Sequence, residues 1–211
     1  MKKGYAQIAD RYDSVFTVQK WWNKLVWGFQ DTEYTGKLLS LLPNDFSGKL
    51  LDIPAGTALF TKDKYSCMSN ANITCMDYSE AMLEKARRKF SGDTFRHVAC
   101  MQGDVGHLPF ADGVFDIVFS MNGFHAFPDR EAAFGETRRV LKNGGMFAGC
   151  CYVKGERKLT DCFVKYFYTP MGWFVPPFQN REELLSSLQK RYTSVYLWNV
   201  GAVACFHAYI V

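Results

Sequence analysis

The chain has 211 residues, 48% hydrophobic and 22% charged, a composition that can form a real core and excludes disordered or collagen-like polymers. At about 100 to 200 residues per domain, one domain is expected. The net charge of +4 is too mild to imply a nucleic-acid or anionic-membrane partner by itself.

In chain order, the first residues turn polar through Asp10, Arg11 and Asp13 with no apolar stretch able to serve as a signal sequence, so a cytoplasmic location is expected. The longest apolar-rich stretches, residues 144–153 and 200–211, fall short of the ~20 residues a transmembrane helix needs. Seven cysteines without a C-x-x-C pair suggest reduced, mostly buried thiols, with neither a disulfide framework nor a zinc site. Aromatic residues, 16% of the chain, crowd the first thirty residues and again residues 166–178.

Between those clusters the pattern is regular. Lys49-Leu50-Leu51-Asp52-Ile53 reads as a buried strand that enters a tight turn at Pro54-Ala55-Gly56-Thr57. A weak helix is expected over residues 59–68, a second strand at Ile73-Thr74-Cys75-Met76-Asp77, and a strong helix over residues 80–90 capped by Ser79. A third strand is expected over residues 95–101, a fourth over 115–120, a helix over 130–141 stopped by Asn143-Gly144-Gly145, and a fifth strand over 146–153. Residues 181–191 look helical, and two strand-like runs, 193–198 and 202–211, should form an antiparallel hairpin at the sheet edge. Strands alternating with helices at this spacing predict a doubly wound α/β fold, a mostly parallel seven-stranded sheet with helices on both faces.

In such a sheet the ligand sits at the carboxyl ends of the strands. Asp77 stands 21 residues beyond Gly56, the spacing that lets an acidic side chain accept hydrogen bonds from ribose hydroxyls. A pyrophosphate needs the closer backbone approach of a G-x-G-x-x-G turn, and here only Gly56 is present. Asp52 adds negative charge where phosphates would be repelled. S-adenosylmethionine, a nucleoside with a cationic ammonium and sulfonium, fits that charge logic.

Five motifs in order then resemble the class I S-adenosylmethionine-dependent methyltransferases, especially the small-molecule group that includes quinone-biosynthesis enzymes. They are Leu51-Asp52-Ile53-Pro54-Ala55-Gly56-Thr57; Met76-Asp77-Tyr78-Ser79-Glu80-Ala81-Met82-Leu83; Gln102-Gly103-Asp104-Val105 with Leu108-Pro109-Phe110; Phe115-Asp116-Ile117-Val118; and Arg139-Val140-Leu141-Lys142-Asn143-Gly144-Gly145. The resemblance implies a Rossmann-like methyltransferase with S-adenosylmethionine as cofactor and S-adenosylhomocysteine as product. By similarity Ala55, Gly56 and Thr57 pass along the methionine part, Asp52 orders the loop and the ammonium region, and Asp77 binds the ribose. Tyr78 and Met82 flank the adenine, Asp104 accepts from its amino group and the Val105 amide faces a ring nitrogen. Tyr12, Gly103, Met121 and Asn122 are further cofactor contacts. Ala58 departs from the pattern, standing where the family usually has a second glycine.

On that reading the chain divides into an N-terminal helical cap (1–47), a cofactor-binding core (48–153), an aromatic lid-like insert (154–180) and a C-terminal helix and hairpin (181–211). Residues 121–127 follow the fourth strand and should face the reaction centre. They lack the prolines of an N-P-P-Y sequence, which argues against a nucleobase acceptor. His125 is the candidate base, because an imidazole can accept a proton near neutral pH. No metal ligand set is expected. The aromatic stretch 166–178 is expected to form a mobile wall over a small, hydrophobic or aromatic acceptor. A protein that binds S-adenosylmethionine without catalysis, in a regulatory or scaffold role, is the alternative.

Overall fold

The computed structural model describes residues 25–28 and 31–210. Seven strands form one sheet in the order β3-β2-β1-β4-β5-β7-β6, where β1 is Lys49–Asp52, β2 Asn72–Asp77, β3 Val98–Gln102, β4 Phe115–Met121, β5 Leu141–Tyr152, β6 Ser194–Val200 and β7 Val203–Tyr209. Strands β1 to β5 pair in parallel, and β7 runs antiparallel between β5 and β6. The helices are α1 (Asp31–Leu39), α2 (Lys62–Ser66), α3 (Glu80–Lys89), α4 (Arg130–Val140), α5 (Lys158–Phe163), which continues as one wider turn over Val164–Tyr168, and α6 (Arg181–Gln189).

Side chains alternate across each strand, so the sheet has two cores. Leu51, Val118 and Phe147 pack on one face with α4 and α6, and Leu50, Ile117, Phe119 and Ala148 on the other with α1 and Tyr65. Burying each large apolar side chain contributes about 1.5 to 3 kcal/mol. The central strand β1, with Leu50, Leu51 and Asp52 all buried, is thereby fixed between β2 and β4. Capping sets the helix starts: Asp129 accepts the Ala132 N–H at α4, and Asn180 and Glu183 form a reciprocal capping box at α6.

The doubly wound architecture and the hairpin read from the sequence are both present, and three boundaries and one helix cap differ. The weak helix shortens to Lys62–Ser66 because residues 56–58 form a turn in which Gly56 and Ala58 both adopt a φ of +55°. Ser79 begins α3 without a side-chain cap; its N–H is instead held by Asp77 Oδ1 at 2.8 Å. A 3-10 turn at Asp93–Phe95 delays the third strand to Val98. Helix α4 ends at Val140, before the glycines, because Leu141 already pairs with Phe115; Gly144 instead serves a bulge at φ +77° inside β5. Among the described residues no helix is long and apolar enough to cross a membrane.

Candidate functional site

A cavity of about 650 Å³ opens at the carboxyl ends of β1, β2, β3 and β4. Its floor is the turn after β1. The loop is tied to β2 by the Ala55 N–H, which donates to the Met76 carbonyl at 2.9 Å. Gly56 donates its N–H to Asp77 Oδ2 at 2.8 Å, so the two ends of the long-range Gly56–Asp77 pair meet directly. Backbone N–H groups thus reach both Asp77 oxygens, Gly56 at Oδ2 and Ser79 at Oδ1, with the Tyr78 N–H also favouring the carboxylate. A carboxylate oxygen has room for a second donor, and Asp77 lines the cavity. Burial raises its pKa, opposed by these N–H donors.

Asp52 is 1% exposed yet lines the same cavity. Burial pushes its carboxyl up to about 7, against the pull of the Tyr65 hydroxyl, which donates to Oδ2 at 2.9 Å. Tyr65, fully buried on α2, had no distinguishing signal in the sequence. Ala58 holds its left-handed conformation at 1% exposure, so the position where a second glycine is usual keeps a glycine-like backbone with a methyl group added. At Gly103 a Cβ would lie 1.5 Å from Met76 Cε, so a larger residue there would have to displace the flexible end of the Met76 side chain.

At the end of β4, Asn122 also has a φ of +55°. Its Nδ2 donates to the Tyr34 hydroxyl of α1 at 3.1 Å and its Oδ1 faces Cys150 Sγ at 3.6 Å. Asp52, Ala55, Gly56, Thr57, Asp77, Tyr78, Met82, Gly103, Asp104, Val105, Met121 and Asn122 all line the one cavity. Tyr12 lies outside the described residues. Leu59, Phe60, Ala126 and Phe127 complete an apolar side; Ala126 and Phe127 belong to the stretch 121–127 expected to face the reaction centre, whereas sequence reasoning did not single out Leu59 and Phe60.

His125 does not line the cavity. Its ring turns inward, stacked on Phe174 at 3.9 Å between centroids, and its Nδ1 accepts the Tyr152 N–H at 3.2 Å. Burial, with the Arg130 guanidinium adding to it, pulls its pKa down to about 3. A neutral imidazole with one nitrogen already committed and no cavity face is a packing residue, and this geometry does not supply the base the sequence suggested. The aromatic insert also sits elsewhere than expected. None of residues 154–180 lines the cavity; Phe174, Tyr168, Trp173 and Phe178 pack with Trp27 and Tyr152 in a cluster of their own. Arg130 fastens this insert by donating to the carbonyls of Val175 and Pro177.

Among the described lining residues the charged side chains are Asp52, Asp77, Glu80 and Asp104, with no lysine, arginine or histidine. Such a cavity favours a ligand with cationic groups and repels phosphates. The residues present fit S-adenosylmethionine: carboxylates at the ends of β1 and β2, a glycine turn and an apolar slot between them.

Residues 51–149 match a family described as a methyltransferase domain. The chain is 39% identical over 113 residues to a malonyl-[acyl-carrier protein] O-methyltransferase of Geobacter sulfurreducens, covering 52% of this chain and 40% of that protein. It is 33% identical over 144 residues to a demethylmenaquinone methyltransferase of Thermus thermophilus, covering 67% and 60%. The first four curated relatives are spanned over 36% to 64% of their own length. In fold it resembles an S-adenosylmethionine-dependent methyltransferase of Thermotoga maritima, with a TM-score of 0.73, 20% identity and 99% of both chains covered. It also resembles the phosphoethanolamine N-methyltransferase 2 of Haemonchus contortus in complex with S-adenosyl-L-methionine, with a TM-score of 0.70, 20% identity, and 93% and 46% covered.

Proposed function

From a chain whose residues 51–149 carry a methyltransferase domain of the S-adenosylmethionine-dependent kind, we infer that the protein transfers a methyl group to a small, hydrophobic or aromatic metabolite. The observation that carries this reading is the joining of Gly56 to Asp77 in a cavity whose described lining holds carboxylates and no cation. When bound, the cofactor supplies a methyl group on a positively charged sulfur. Asp77 receives the ribose hydroxyls, Tyr78 and Met82 flank the adenine, and Asp104 with the Val105 N–H reads its edge. Asp52 and residues 55–57 hold the methionine part, with the buried Asp52 carboxylate favouring its ammonium.

The acceptor takes the remaining side, formed by Leu59, Phe60, Met121, Ala126 and Phe127. That side offers apolar contact and no counter-charge for an acidic acceptor, which supports a neutral one. With His125 turned away, acceleration comes from alignment of the acceptor with the methyl group rather than from an imidazole base. The quinone-type and rifamycin-type acceptors named for relatives are small molecules of the same general character. The described cysteines are free thiols, in keeping with a reducing cytoplasm.

The test is incubation with methyl-labelled S-adenosylmethionine and fractions of a metabolite extract. The reading expects S-adenosylhomocysteine to appear in proportion to an apolar fraction, with label transferred into it. Cofactor binding with no acceptor-dependent product from any fraction would instead support a silent binder.

A further inference from the structure

The insert that follows β5 is apolar on two faces. Thr160, Val164 and Tyr168, four residues apart, turn inward: Thr160 and Val164 are buried, and Tyr168 stacks on Trp27 at 5.9 Å. A helix docked on one face normally gives its other face to polar side chains. Here Leu159 is 40% exposed, Tyr166 61%, Phe167 49% and Met171 51%, and Phe163 stacks on Phe167 at 5.0 Å. Leu25, 49% exposed, has its carbonyl bound by Arg157 of the same insert. Five of the seven large hydrophobic side chains exposed among the described residues therefore belong to one region, which is a patch rather than the ordinary scatter of single apolar residues.

Charge decides what the patch suits. Lys158 and Lys165, two helical turns apart, are exposed beside it, and the Lys165 ammonium lies 5.1 Å from the centre of the Tyr166 ring. The helix's own carboxylate, Asp161, is turned inward, where it accepts from the Tyr152 hydroxyl at 2.6 Å and the Gly155 N–H at 3.0 Å. Glu156 remains the one exposed carboxylate of residues 154–171. Exposed aromatic and aliphatic groups flanked by exposed lysines match the boundary between headgroups and acyl chains of an anionic bilayer. A second copy seated on the same face would set the lysine rows against each other. We propose that the exposed face of α5 and its following turn, Leu159, Tyr166, Phe167 and Met171 with Lys158 and Lys165, seats the protein on an anionic membrane surface. The insert leaves the sheet at the carboxyl end of β5, the end at which the cavity opens.

The test is co-sedimentation of the full chain with phosphatidylcholine vesicles, with and without phosphatidylglycerol. Binding is expected only to the anionic vesicles, decreasing with salt. Tyr166→Ser/Phe167→Ser/Met171→Ser, and separately Lys158→Ala/Lys165→Ala, should weaken it roughly tenfold or more, while melting and S-adenosylhomocysteine binding remain those of the parent. Failure to sediment with anionic vesicles, or variants that sediment like the parent, would overturn the proposal. So would a dimer in light scattering that the same substitutions abolish. A parent that binds S-adenosylhomocysteine but not vesicles separates failure of this surface from failure of the enzymatic reading.

Discussion

Replacing Asp52 with Asn should stabilise the ligand-free protein at alkaline pH and change little in acid. The folded state holds the Asp52 proton up to about 7, from an ordinary value of 3.8, because the carboxyl is buried. The unfolded chain releases that proton near 3.8, so between these values the folded state binds more protons. Its contribution to stability is therefore full below pH 3.8 and lost as pH rises to 7. At about 1.4 kcal/mol per pH unit the loss approaches about 4 kcal/mol. His125 runs the other way. Burial lowers its pKa from 6.5 to about 3, so the unfolded chain takes its proton first and stability rises across that range. The two nearly cancel between pH 4 and 6.5 in the parent. Asn keeps an oxygen for the Tyr65 hydroxyl while removing the buried charge. The variant should thus match the parent within about 1 kcal/mol at pH 4 and exceed it by up to about 4 kcal/mol at pH 8, raising Tm by up to roughly 8 to 16 °C for a chain of this size. Urea melts at several pH values read this directly. A variant that is less stable than the parent at pH 8, with a difference independent of pH, would refute the argument.

Asp77→Ala removes the acceptor for the Gly56 and Ser79 N–H groups and the proposed ribose ligand. Calorimetry should find S-adenosylhomocysteine binding weakened by at least about tenfold, since hydrogen bonds to a charged group contribute about 1.5 to 3 kcal/mol each. Ala58→Gly relieves a left-handed alanine at φ +55°, costing about 1 to 2 kcal/mol, partly offset by the greater entropy of glycine in the unfolded chain. A gain of up to about 1 kcal/mol is expected in a denaturant melt, with cofactor affinity retained; a loss would place the strain elsewhere. His125→Ala should cost about 2 to 4 kcal/mol, from the stack on Phe174 and the orphaned Tyr152 N–H. The surviving folded fraction should keep its turnover, and an inflection near pH 6.5 that vanishes in this variant would return His125 to the chemistry.

That the residues expected at the cofactor line one cavity was legible because they are local to strand ends. Once Leu50 and Ile73 fix the register of β1 on β2, Gly56 and Asp77 must meet, and their spacing announces it. Tyr65 was not legible, because nothing in its neighbourhood says that its hydroxyl turns back to Asp52, thirteen residues earlier. His125 misled for a related reason. The sequence places it just after β4, but which way it faces is decided by Tyr152 and Phe174, far along the chain, so Ala126 and Phe127 line the cavity in its place. The aromatic insert carried the right composition for burial without stating what it would bury. Tyr168, Trp173 and Phe174 gather around Trp27, a partner that no spacing rule connects to them.

The central claim is that the cavity between Asp52, Asp77 and Asp104 takes S-adenosylmethionine. It is tested most directly by calorimetric titration of the full chain with S-adenosylhomocysteine and, in parallel, with NAD. Binding of S-adenosylhomocysteine at one site per chain, abolished or strongly weakened by Asp77→Ala, with no heat from NAD, is the expected result. Binding of NAD with none of S-adenosylhomocysteine, or S-adenosylhomocysteine binding untouched by a folded Asp77→Ala protein, would contradict it.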